Sequence, residues 1–196
     1  MKPIQRNARF AALLAPLVLG GCLSFGPKTP DTLFSLTPAT AAQPGSGASG
    51  TLESAVVVLE PEAEQRLDVT RVPVQIDAAN VAYLKNAAWV ERPARLFQRL
   101  LAETIRSRGS RLVLDTDPGS GGSVRLSGRL IDMGYDARSS AAVVRFEAIR
   151  TQPGGRIDTR RFESSVGGVQ AKATALAPAL DQAANDVARQ VAEWLG

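Results

Sequence analysis

The only cysteine in the chain, Cys22, stands directly after Leu19-Gly20-Gly21, so no intrachain disulfide can hold this fold together. Stability has to come from packing. Lys2, Arg6 and Arg9 precede an apolar run over residues 10–19, and small residues lead from it to Cys22. A positive start, a short apolar centre and small residues before a cleavage point mark a secretory signal, and this run is too short to cross a bilayer. With cysteine at its end, the segment Leu19, Gly20, Gly21, Cys22 reads as a lipobox. The Cys22 thiol would take a diacylglycerol, cleavage would fall between Gly21 and Cys22, and the new amine would be acylated. Two or more acyl chains anchor a protein stably where one does not. The alternative is an ordinary secretory signal followed by an incidental cysteine. The expected division is a signal over residues 1–21, a lipid-anchored tether over 22–50 and one domain over 51–196.

Charge argues against a polyanionic partner. The chain of 196 residues carries a formal net charge of +4, and Lys2, Arg6 and Arg9 supply three of those positive charges with no acid beside them. Residues 22–196 are therefore near +1, without the clustered basic surface that nucleic acid requires.

Residues 24–31 contain Gly26, Pro27 and Pro30 and suit a tether. A brief extended segment over 32–36 follows. Residues 37–50, rich in Ala, Pro, Ser and Gly, read as a flexible linker and the least ordered part of the mature chain. Residues 55–60 suit a buried strand, and residues 72–76 a second strand that Pro73 places at a sheet edge. Residues 93–108 predict a helix with Pro93 in its first turn and Gly109 just past its end. Its stripe of Leu96, Phe97, Leu100, Leu101, Thr104 and Ile105 is a face for a sheet, in preference to a partner or a membrane; Gln98, Arg99, Glu103 and Arg106 lie outside it. Alternation of Val124, Leu126 and Leu130 with Arg125, Ser127 and Arg129, and of Val144 and Phe146 with Arg145 and Glu147, predicts half-buried antiparallel strands. Pro153-Gly154 turns the chain into a further strand over 157–166. Leu176, Leu180, Ala184, Val187, Val191 and Leu195 mark a second long amphipathic helix. The pattern predicts an α+β fold, a mostly antiparallel sheet with two amphipathic helices on one face.

Motifs for chemistry are weak. Gly45-Ser46-Gly47-Ala48-Ser49-Gly50 matches a dinucleotide-binding glycine pattern, yet it leads into a strand where that motif needs a helix N-terminus. Asp115-Thr116-Asp117 resembles the start of a calcium loop whose fifth and twelfth positions, Gly119 and Leu126, lack ligand oxygens in their side chains. With no histidine and the one cysteine assigned to lipid, no catalytic residues, cofactor or metal ligands are expected. Arg145, Arg150, Arg156, Arg160 and Arg161 around the Pro153-Gly154 turn could meet an acidic partner or lipid head groups; a solvated face that discourages edge aggregation is preferred.

Taken together, Cys22, Leu33-Phe34-Ser35-Leu36, Val56-Val57-Val58, Val72-Pro73-Val74-Gln75-Ile76-Asp77, Trp89-Val90-Glu91-Arg92-Pro93, the strand from Val124 to Leu130 and the ending Trp194-Leu195 resemble the ABC-type transport auxiliary lipoproteins, which include the paraquat-inducible lipoprotein type. The resemblance covers most of the mature chain. It departs from the family pattern at Phe34, where tyrosine is common, and at Ala87-Ala88, where an aromatic residue is common. It implies a periplasm-facing, non-catalytic lipoprotein that docks or completes an assembly of an ABC transporter and a mammalian-cell-entry (MCE) domain protein, moving lipid or another hydrophobic molecule between membranes. Leu23 after Cys22, in place of aspartate, resembles lipoproteins passed to the outer membrane. Tyr83 and Trp89 are candidate partner contacts, because aromatic residues dominate interface energetics; the other reading of Trp89 is a staple between the loop and the first helix. Self-association into a homo-oligomer stays open. The alternative functions are a carrier that holds lipid between sheet and helices, and an activator of a cell-wall enzyme.

Overall fold

The computed structural model describes residues 30, 32–109, 111–119 and 123–196; the lipobox Leu19 to Cys22 lies outside them. In chain order the elements are β1 (Val56–Val58), β2 (Glu62–Ala63), β3 (Arg71–Gln75), β4 (Val81–Ala88), α1 (Pro93–Arg106), β5 (Val113–Leu114), β6 (Val124–Asp136), β7 (Ala141–Thr151), β8 (Ile157–Val166) and α2 (Ala173–Leu195). This is an α+β fold, with one mixed and mostly antiparallel sheet carrying two helices.

Strand β6 organises the sheet. Along one edge it pairs antiparallel with β7, from Arg125↔Thr151 to Asp136↔Ala141, and β8 continues the meander. Along its other edge three short segments lie parallel to it one after another: β1 at Val124 to Leu126, β2 at Arg129 and Leu130, and β3 at Tyr135 and Asp136. β5 extends this side beyond β1, and β4 extends it beyond β3. Register shifts between Leu130 and Asp132, inserting Ile131 as a bulge. Because side chains alternate with period two, the extra residue moves the buried positions from Leu126 and Leu130 to Met133 and Tyr135. Arg66 holds the bulge, donating to the Ile131 carbonyl at 2.6 Å and to Asp132 Oδ1 at 3.2 Å.

Helix α1 begins with Pro93 at its first position, where the missing N–H costs no hydrogen bond, and Gly109 at φ +72° follows its end. Its stripe is buried as expected, and α2 buries Leu176, Leu180, Val187 and Val191. The two helices touch each other, α1 over β1 and β5 and α2 over β7 and β8. Phe97 and Phe146, both 0% exposed, meet edge to face in the centre with ring centroids 5.3 Å apart.

Two expectations are corrected. β3 is no edge strand: it lies between β4 and β6. Pro73 is tolerated because the β3–β4 register shifts between Arg71 and Pro73, and because Gly134 of β6 has no Cβ; one there would sit 2.4 Å from the Pro73 carbonyl oxygen. Nor is the linker over residues 37–50 uniformly loose. Residues 37–42 form a strap lying across both helices and held by hydrogen bonds from residues far away in sequence. Gly45 and Gly47 beyond it have open space around them.

Candidate functional site

The chain enters its folded domain at Phe34. Phe34 N–H donates to the Ala88 carbonyl at 2.7 Å and Val90 N–H to the Phe34 carbonyl at 2.9 Å, a parallel bridge just ahead of α1. The Phe34 and Trp89 rings meet edge to face with centroids 5.4 Å apart, and Trp89 is only 2% exposed. Its indole is spent inside the fold, fastening the incoming chain where β4 gives way to α1. Tyr83 is half-buried, with the Arg71 guanidinium stacked 3.7 Å from its ring centroid. The two aromatic residues therefore make no common surface.

From Phe34 the strap runs over α1 and α2. Thr37 N–H donates to Asp181 Oδ1 and Ala39 N–H to Asn185 Oδ1, each at 2.7 Å, while Asn185 Nδ2 donates back to the Thr37 carbonyl at 2.9 Å. Ala42 N–H donates to Glu103 Oε1 at 2.7 Å. Every one of these contacts is made to strap backbone. The strap side chains Thr37, Ala39, Thr40 and Ala41 are exposed, and the chain bends at Ala39 and Thr40; the Thr40 hydroxyl meets Ser107 Oγ at 3.1 Å, and the other hydrogen bonds named here hold the main chain. The helical side chains that do this fall on the faces away from the sheet, where sequence reading sees only solvated polar residues. Asn185 was the available signal, since asparagine is a poor helix former amid alanine and valine.

The Ala42 N–H holds the Glu103 carboxyl below its ordinary range; burial acts the other way, and Arg106 adds a smaller pull downward. A folded-state value below the unfolded one gives stability at neutral pH that disappears as pH falls through the folded value. The Ala42 amide is accordingly expected to lose hydrogen-exchange protection below about pH 4, and Glu103→Gln to flatten that dependence. Equal protection factors at pH 6 and pH 3 would show that the carboxylate does not hold the strap.

A polar cleft of about 540 Å³ flanks the β3–β4 turn. Within it Asp132 is bracketed by Arg66 at 3.2 Å and Arg145 at 3.7 Å, and Arg145 also meets Glu163 at 2.7 Å. Burial pushes the Asp132 carboxyl up in spite of both guanidinium groups. The other arginines around the Pro153-Gly154 turn divide between the two faces and are engaged as well: Arg161 pairs with Glu147 on the face of Arg145, whereas Arg150 pairs with Asp158 and stacks on Trp194 and Arg160 lies against the Phe162 ring on the helix side, with Arg156 also meeting Asp158. Asp117 of the calcium-like loop is held by Arg125. Among the described residues no group of three His, Cys, Asp or Glu side chains could hold a metal, and no helix is long and apolar enough to cross a membrane.

A family profile for the ABC-type transport auxiliary lipoprotein component matches residues 34–192, from the bridge at Phe34 to the last turn of α2. The chain belongs to that family. Its domain is thus one of the auxiliary lipoprotein components of ABC-type transport. A crystal structure of a Xanthomonas campestris protein of the DUF330 family superposes with a TM-score of 0.71 at 16% identity, covering 84% of this chain and 94% of that one. A second crystal structure, of an uncharacterized protein, gives a TM-score of 0.65 at 13% identity over 84% of this chain and all of the other. At such identities the likeness establishes the auxiliary lipoprotein fold and nothing finer. No curated protein matches the sequence.

Proposed function

We propose that this auxiliary lipoprotein is a non-catalytic component, anchored through lipid on Cys22, that docks an MCE-domain protein and its ABC transporter at the membrane carrying the anchor. The cargo of that assembly would be phospholipid or another hydrophobic molecule passed between membranes. The family match over residues 34–192 carries this reading. The position of the bridge at Phe34 supports it. Phe34 follows Cys22 by 12 residues, which span at most about 40 Å when fully extended, so this short tether keeps the domain close to its anchor. Leu23 after Cys22 favours the outer membrane on the periplasmic side. Tyr83 and the β3–β4 turn, with Ile76 and Val81 exposed, supply a partner surface at the far end of the ribbon from Trp89. The carrier alternative finds less support, because Phe97, Phe146, Leu100, Leu101 and Met133 fill the space between sheet and helices where an acyl chain would lie.

Affinity isolation of the full-length protein from detergent-solubilised envelopes tests this. Recovery of an MCE-domain protein and ABC subunits is expected, and Cys22→Ala is expected to shift the protein from the membrane to the soluble fraction. A preparation free of transporter subunits and carrying bound lipid would transfer the assignment to the carrier.

A further inference from the structure

We infer that the surface around Leu33 and Val90 is the face this domain lays on the membrane, its occupant being a bilayer that contains anionic phospholipid. The inference rests on the lipid anchor at Cys22 and states which way the anchored domain stands. Phe34 and Trp89 pair in a parallel bridge, and both turn into the core. Side chains alternate along an extended chain, so their neighbours Leu33 and Val90 turn outward, where they are 46% and 48% exposed. Single exposed apolar residues are ordinary. These two stand on adjacent chains at the point where the tether enters the domain. Leu33 follows Cys22 by 11 residues, at most about 40 Å of fully extended chain, which is about the width of a domain of this size. The anchor therefore brings this part of the surface to lipid before any other.

The charges around this point have the matching sign. Arg71 lies opposite Ala88 in the β3–β4 ladder, Lys85 precedes Ala88 by three residues, and Arg92, Arg95 and Arg99 belong to the start of α1. All five are exposed. Two carboxylates lie among them: Asp68 pairs with Arg92 at 2.9 Å, and Glu91 with Arg95 at 3.4 Å and with Arg99. In the tether, Lys28 and Asp31 cancel. Five cations less two carboxylates leave an excess of +3 here, whereas residues 22–196 together carry only about +1, so the remainder is net negative. An anionic leaflet attracts such cations over about 10 Å at 0.1 M salt, and their long stems can lie along the lipid boundary while the heads stay wet. A single lipid attachment leaves a domain free to turn. This contact would hold the chain entry against the leaflet and point the β3–β4 turn, with Ile76 and Val81, away from it.

Because Cys22 is the only cysteine, lipid on its thiol leaves an introduced cysteine as the single labelling site. Val90→Cys and, at the exposed tip of the β3–β4 turn, Ala79→Cys are labelled with a fluorophore in the full-length lipidated protein. Each is reconstituted into vesicles of phosphatidylethanolamine and phosphatidylglycerol that carry a lipid with a nitroxide on its headgroup. Quenching at position 90 is expected to exceed that at position 79 by about threefold or more. Lys85→Glu with Arg95→Glu is expected to cut the quenching at position 90 by about half or more and to leave position 79 unchanged. Equal quenching at the two positions, or quenching at position 90 that ignores the charge reversal, would overturn the inference. So would a label at position 90 that becomes shielded in detergent solution as protein concentration rises, which would give the face to a second copy of the chain. Wild-type protein that takes up the label at Cys22 would overturn the anchor and this inference with it, whereas an unlabelled wild type together with equal quenching would overturn this inference alone.

Discussion

Gly128→Ala is expected to be among the most damaging single substitutions in this domain, lowering stability by about 3 kcal/mol or more. Gly128 sits in β6 at φ +148°, opposite Ala148 of β7, and a Cβ there would lie 2.1 Å from the Glu147 carbonyl oxygen. Two penalties coincide: the backbone conformation is one that side chains rarely adopt, and the obstacle is main chain held in a ladder. Neither the glycine nor its neighbour can yield without breaking pairing along the strand that organises the sheet. For a domain of this size the loss corresponds to a fall in Tm of about 6–12 °C. A variant melting within 2 °C of the wild type would show that β6 and β7 separate more easily than their register suggests.

Phe146→Ala tests the core by the opposite route, removing volume where Gly128→Ala adds it. Phe146 is 0% exposed and packs edge to face on Phe97, also 0% exposed, at the junction of sheet and helix. Truncating a buried phenylalanine typically costs about 3–5 kcal/mol, and the lost aromatic pairing falls within that range. Urea unfolding should show a lower midpoint with an unchanged slope, because the same surface is exposed on unfolding. A cost below about 1 kcal/mol would mean that α1 and α2 close the space, and so that the helices are less firmly seated than their burial indicates.

The legibility of this fold in its sequence follows the reach of the forces involved. Helix α1 was readable because its stripe, Pro93 and Gly109 are local signals, and the β6–β7–β8 meander because alternation and the Pro153-Gly154 turn are local too. Strand β4 was not anticipated. Half of it is exposed at the sheet edge, and Asn86 at φ +53° breaks its alternation. The parallel seating of β1, β2 and β3 on β6 was equally hidden, since a strand's own pattern records burial and not its partner. Pro73 misled because its tolerance depends on Gly134, about 60 residues away. As for the candidate site, the family resemblance was carried by scattered residues in the right order, whereas the strap's grip comes from Asp181 and Asn185, 144 and 146 residues beyond the amides they bind. A stretch of Ala, Pro and Thr offers no side-chain pattern from which such contacts could be read.

The seating of three early segments on one late strand also sets an order of assembly. Val56 finds Val124, and Val74 finds Tyr135, across gaps of about 60–70 residues, so β1, β2 and β3 must wait for β6 before they join one sheet, although β3 can pair with β4 as a local hairpin. Closing such gaps is entropically slow compared with turning a hairpin. The β6–β7–β8 meander can form first from neighbours in sequence, and the earlier third of the domain then collects on its open edge. During synthesis everything ahead of residue 124 lacks the strand that gathers it, and a chain cut short before that point would keep the β3–β4 hairpin and the β1–β5 pair without the sheet that joins them.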